Sequence, residues 1–133
     1  MTEEYRDVAR MARDYVISRG MSPKQAWDEA AKKAFPNNRS RASNGYPRST
    51  FLALCSAGLV KGVPAGEYVD RAGEVRTYAP KIVELLAANP DYADEPGDLF
   101  STATKGRAPE NGQLDVVFGL WDHGLLTTPP PYA

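Results

Sequence analysis

The stretch from Tyr46 to Gly62, YPRSTFLALCSAGLVKG, packs a helix start, an apolar helix face, a glycine stop and a basic exit into a short span. Pro47 suits the first turn of a helix, where its missing N–H has no intrahelical partner to lose and its φ is preset. Phe51, Leu52, Leu54 and Cys55 recur at helical spacing and form the buried face. Gly58 fits the left-handed position just past the helix, with Leu59 folding back as the hydrophobic contact. Arg48, Ser49 and Thr50 fall in the first turn, where free backbone N–H groups and the helix dipole favour an anion. Two readings follow: a phosphate binds there, or Ser49 and Thr50 only cap the helix while Arg48 points to water.

The flanks extend a helical pattern. A first helix is expected from about Glu3 to Arg19, with Tyr5, Val8, Ala9, Ala12, Tyr15 and Val16 in one apolar stripe and Gly20 as its stop. Ser22, Pro23 and Gln25 read as the capped start of a second helix carrying Ala26, Trp27, Ala30, Ala31 and Ala34 inward, with Trp27 as a core anchor. PNNRSRASNG, from Pro36 to Gly45, has no apolar residue larger than alanine and is expected to be a mobile loop. It lacks the spacing and lysine of a P-loop.

After the central helix, LVKGV and EVRTY are short β-compatible runs separated by PAGEYVDRAG, so a hairpin with a long tip is expected. Helix followed by hairpin is the order at the end of a winged-helix domain. Against that, about ten residues separate the second and third helices, too many for a helix-turn-helix, and Glu67, Asp70 and Glu74 would repel phosphate. Pro80 opens a fourth helix burying Ile82, Val83, Leu85 and Leu86, stopped at Asn89-Pro90. A short helix from Asp98 to Thr104 follows, then a last one from about Gly112 to His123 ending at Gly124. Its FGLWDHGLL echoes LALCSAGLV, one helix-ending device used twice. The fold class is therefore mainly α, five to six helices with one short β-hairpin and an order compatible with a winged helix. Residues 1–126 form a single domain, and 127–133, TTPPPYA, make a disordered tail.

Charge is unevenly spread. Between Ala30 and Gly66 lie Lys32, Lys33, Arg39, Arg41, Arg48 and Lys61 with no Asp or Glu, a charge of +6, whereas the rest of the chain carries −7. Such asymmetry points to a polyanionic partner, nucleic acid or an acidic protein face, or to a plain solvated basic face. The apolar runs are too short to span a bilayer and the charged start MTEEYRDVARMARDY does not read as a signal peptide, so a cytoplasmic protein with no membrane partner is expected. A lone cysteine, Cys55, and a lone histidine, His123, offer neither an internal disulfide nor a familiar metal cluster.

Four blocks carry a resemblance: Ala26-Trp27, the central GYPRSTFLALCSAGLVKGVPAGEY, Tyr78-Ala79 and the terminal GQLDVVFGLWDHGLL. In these the chain resembles a family of small bacterial proteins of unknown function, whose members tend to have Gly-Cys-Pro where this chain has Gly45-Tyr46-Pro47. The resemblance supports the element boundaries and implies no mechanism.

An enzyme is the least supported class. Asp115 and Asp122 share a helix face about 10 Å apart, His123 lies off it, and no nucleophile–base–orienter set emerges. A non-enzymatic binding module is expected, with Arg39, Arg41, Arg48, Ser49 and Lys61 contacting nucleic acid or phosphate and no cofactor. The alternatives are a protein-interaction adaptor or regulator subunit, as homodimer or with another protein, and a sensor of nucleotide phosphate.

Overall fold

The computed structural model describes residues 4–69 and 73–127. These residues form seven α-helices: α1 (Glu4–Arg19), α2 (Pro23–Ala34), α3 (Arg39–Ala42), α4 (Gly45–Ser56), α5 (Val75–Ala88), α6 (Pro96–Thr104) and α7 (Gln113–Trp121), with a 3-10 helix (Pro90–Asp94) between α5 and α6. No helix among the described residues is long and apolar enough to cross a membrane.

Helix α4 lies at the centre, against α2, α5 and α7. Residues 50–55 are all buried, Thr50 and Ala53 included, so the helix is enclosed on all sides instead of along the single face its spacing suggests. Thr50 satisfies its hydroxyl by donating to the carbonyl of Tyr46 at 2.9 Å. Helix α7 is similarly enclosed, with residues 116–120 buried. Trp27 of α2 packs on Phe51 of α4 with ring centroids 5.4 Å apart, the core anchor its spacing predicts.

Both expected helix-ending devices form. Gly58 (φ +75°) and Gly124 (φ +67°) take the left-handed conformation. The amide of Leu59 donates to Leu54 and that of Leu125 to Leu120, the six-to-one bond of a Schellman motif. The two exits then meet. Val60 and Leu126 form an isolated antiparallel bridge, Lys61 N–H donates to Leu125 at 2.9 Å and Thr127 N–H to Leu59 at 2.7 Å. At the other end of the same helices, Asn44 Nδ2 donates to Asn111 Oδ1 at 3.0 Å. Helices α4 and α7 therefore run in the same direction, tied together at both ends.

Helix α1 closes over α7 and pairs with α2 through the short turn at Gly20. The α1–α7 approach depends on one residue. A Cβ on Gly119 would lie 2.6 Å from the carbonyl oxygen and 2.7 Å from the Cα of Arg6. Arg6 then reaches across to Asp122 at 2.9 Å and Asp115 at 3.7 Å, which gives these two carboxylates a structural role.

Three expectations need correcting. The hairpin does not form: among the described residues Val60 pairs with Leu126, not with the EVRTY run, and no strand is present. EVRTY instead leads into α5, with Thr77 and Tyr78 amides donating to Glu74. The apolar stripe Tyr78, Ala79, Ile82, Val83 and Leu86 has helical phase straight through Pro80, which so near the helix start forfeits only the bond to Arg76. Without the hairpin the winged-helix arrangement goes too. Part of its expected tip, residues 70–72, lies outside the described residues, as do residues 128–133 of the expected tail. Lastly, the segment read as a loop before α4 holds the short α3, because Asn38 accepts from the amide of Arg41 at 3.1 Å and starts a turn.

Two outcomes check this packing. Gly119→Ala is expected to lower unfolding free energy by about 2 kcal/mol or more, since backbone must shift, whereas Gly97→Ala in exposed α6, with nothing within 4 Å of the added Cβ, is expected to be neutral or stabilising by up to about 1 kcal/mol; urea denaturation of both variants reads the difference. Burial of Cys55 on α4 pushes its thiol well above the ordinary range, so the thiolate is scarce in the native state at neutral pH and labelling by a disulfide reagent should track unfolding by denaturant. Rapid labelling without denaturant would contradict the enclosure of α4.

Candidate functional site

The first turn of α4, the start of α5 and the segment entering α7 surround a cleft of about 710 Å³. Asn44 organises its edge. Its side-chain oxygen accepts from the amide of Tyr46 at 3.1 Å, while its Nδ2 donates to Tyr5 Oη at 3.3 Å and to Asn111. Tyr5 in turn donates to the carbonyl of Arg41 at 3.0 Å. One amide side chain thus ties α1, α3, α4 and the approach to α7 together.

Leu52, Val69, Val75, Ala108 and Pro109 form the apolar lining, and Tyr46, which is exposed, stands at the rim. Polar groups enter from three segments. From α4 come Arg48 and Ser49; from the start of α5 come Glu74 and Tyr78, and from the segment before α7 comes Arg107. Arg48 is aimed by α2, with Nε donating to Asp28 Oδ1 at 2.9 Å and Nη2 to Oδ2 at 3.4 Å, a two-point grip that fixes the guanidinium plane. Among the described residues Arg107 is held by Glu74 at 3.5 Å, with both side chains more than half exposed. A pair of that kind contributes about 0–1 kcal/mol.

Behind the cleft sits a buried polar group. Gln113, fully buried at the start of α7, donates to the carbonyl of Pro109 at 2.8 Å and to Tyr78 Oη at 3.4 Å, and accepts from the amide of Asn111. Burial pushes the Tyr78 phenol above its usual range, against the opposing effect of the Gln113 hydrogen bond, so it is a neutral hydroxyl here. These bonds fix the 109–111 wall against α5.

The residues proposed from sequence are divided by the fold. Arg48 and Ser49 line the cleft. Arg41 folds back, 2.7 Å from Glu4 and over the rings of Phe35 and Tyr5 at 4.9 and 5.6 Å. Arg39 faces a smaller groove of about 370 Å³ with Asp28, Lys32, Phe35 and Ser43. Lys61 is exposed beyond the far end of α4, its carbonyl accepting from Arg13 Nε at 2.9 Å. Sequence reasoning missed Asn44, Asn111, Tyr78 and Arg107. A signal existed for two of them: SNGY and ENGQ each place an Asn-Gly pair at a helix start, with a Gly-Leu exit later. Among the described residues no group of three or more His, Cys, Asp or Glu side chains is placed to hold a metal ion.

No curated protein and no solved structure matches the chain. A family model does, over residues 2–127, which takes in every helix and the whole of the cleft. The chain belongs to that family, a family of unknown function (DUF6979).

Proposed function

We propose that this is a cytoplasmic, non-enzymatic binding module whose site is the cleft at the start of α4, and whose ligand is a small organic anion bearing a phosphate or carboxylate group. The observation that carries the reading is the cleft itself. Its volume of about 710 Å³ suits a small molecule, and its lining joins apolar surface to two arginines, Arg48 of α4 and Arg107 of the segment before α7. The positive end of the α4 dipole adds to the same field. Arg107 is released from its weak, exposed pairing with Glu74 at little cost, and a bound anion takes its place beside Arg48 and Ser49. A nucleotide fits this description, with its base against the apolar wall.

A second reading has its own support. Lys32, Lys33 and Arg39 are exposed together where α2 meets α3, a surface on which nucleic acid or an acidic protein would bind. Affinity of that kind falls steeply with salt.

A thermal-unfolding panel of inorganic phosphate, nucleotides and dicarboxylates tests the first reading. Ligand at 100 times its Kd is expected to add about 2.7 kcal/mol of stability. Arg107→Ala should weaken binding by about tenfold or more, the loss of a charge-assisted hydrogen bond. Flat unfolding temperatures across the panel, or undiminished binding by the variant, would overturn it. Fluorescence anisotropy with duplex and single-stranded oligonucleotides at two salt concentrations tests the second: salt-sensitive binding that is lost in Lys32→Glu/Arg39→Glu and kept in Arg107→Ala would assign function to the α2–α3 surface.

A further inference from the structure

Asn111 and Gly112 precede α7 in a setting that goes beyond helix capping. An asparagine followed by glycine can close a five-membered imide when the glycine nitrogen attacks the side-chain amide carbon, because no Cβ hinders the approach. Two obstacles slow that reaction: the backbone N–H must lose its proton, and the amide oxygen must take up negative charge. At Asn111 the structure addresses both. Glu110 Oε2 accepts from Gly112 N–H at 3.1 Å, within reach for a general base. Asn44 Nδ2 donates to Asn111 Oδ1 at 3.0 Å, where an oxyanion would develop. Asn111 and Glu110 are both exposed to solvent water.

We propose that Asn111 is a self-modification site that deamidates through a cyclic imide, with Glu110 as the base and Asn44 as the oxyanion donor. In the first step the Gly112 nitrogen bonds to Asn111 Cγ as its proton passes to the Glu110 carboxylate. The tetrahedral adduct then collapses, the Cγ–Nδ2 bond breaks, and Nδ2 leaves as ammonia with the proton returned by Glu110. Water opens the imide at either carbonyl and leaves aspartate or isoaspartate. Electrons balance without an oxidant or reductant, and the net change is water in and ammonia out. Both products put a carboxylate at the rim of the cleft, and isoaspartate also lengthens the backbone by a methylene just before α7.

The chain carries its own control in Asn44-Gly45. There the asparagine is tethered through both amide atoms, Oδ1 to the amide of Tyr46 and Nδ2 to Tyr5 and Asn111, and its glycine is the first residue of α4. Glu110 also accepts from the amide of Leu114 at 3.0 Å, so a purely capping role must be separated from a basic one. Glu110→Gln does so, since its amide oxygen still accepts both bonds and is a far weaker base.

Peptide mapping by mass spectrometry of the full-length protein, aged at neutral pH in native buffer and in urea, tests the proposal. In the native protein Asn111 should convert faster than Asn44, and Glu110→Gln should slow Asn111 by about tenfold or more. In urea the two Asn-Gly pairs should convert at similar rates and the substitution should have no effect. Native Asn111 converting no faster than Asn44, or at an unchanged or higher rate in Glu110→Gln, would overturn it.

Discussion

Everything that bears on function here hangs on the parallel pairing of α4 and α7. Two neighbouring helices running the same way cannot be joined by a short connection, so the chain must travel from the end of one to the start of the other, and α5 and α6 fill that path. What holds such a pair in register is contact at its ends. At the C-terminal end the Gly58 and Gly124 exits turn the chain so that Val60 and Leu126 meet and exchange backbone bonds. At the N-terminal end Asn44 meets Asn111. Gly119 then lets α1 press its backbone onto α7, which stacks a third helix on the pair.

The cleft follows from this frame. Fixing the starts of α4 and α7 side by side leaves the start of α5 as the remaining wall, and Gln113 ties that wall to the α7 approach through Tyr78. The electrostatics are a matter of which cations the fold has already engaged. Arg41 is committed to Glu4 and to two aromatic rings, and Arg6 to Asp115 and Asp122. Arg48 is oriented by Asp28 yet still faces the cleft. Arg107, in a long and exposed pair at the cleft, is a cation that a ligand can recruit cheaply. A +6 segment in sequence therefore does not become a +6 surface.

Local signals decide the structure where one helix holds all the partners. The Ser22 cap, the glycine stops at Gly20, Gly58 and Gly124, and the inward stripe of α1 all formed as their residue types require. Errors arose where the partner is distant. LVKGV looked like half of a hairpin because its β-compatible residues say that Val60 pairs, without saying with what; the partner is Leu126, far along the chain. EVRTY reads as a β-compatible run on its residue types and Pro80 as a helix start, yet the stripe through Tyr78 and Ile82 carries the helix past that proline. The candidate site divides along the same line. Arg48 and Ser49 were legible from the helix start they occupy, whereas Arg107 and Tyr78 join them only once α5 and the α7 approach are packed in place.

Native-state hydrogen exchange tests the tied-helix frame most directly. Lys61 and Thr127 are exposed, so protection of their amides can come only from the bonds to Leu125 and Leu59. The frame predicts that these two amides exchange with the same opening free energy as core amides of α4 such as Leu54, as members of one cooperative unit. Exchange of Lys61 and Thr127 at the rate of an open loop, with α4 and α7 still protected, would show that the helices are not held at that end and would contradict the account.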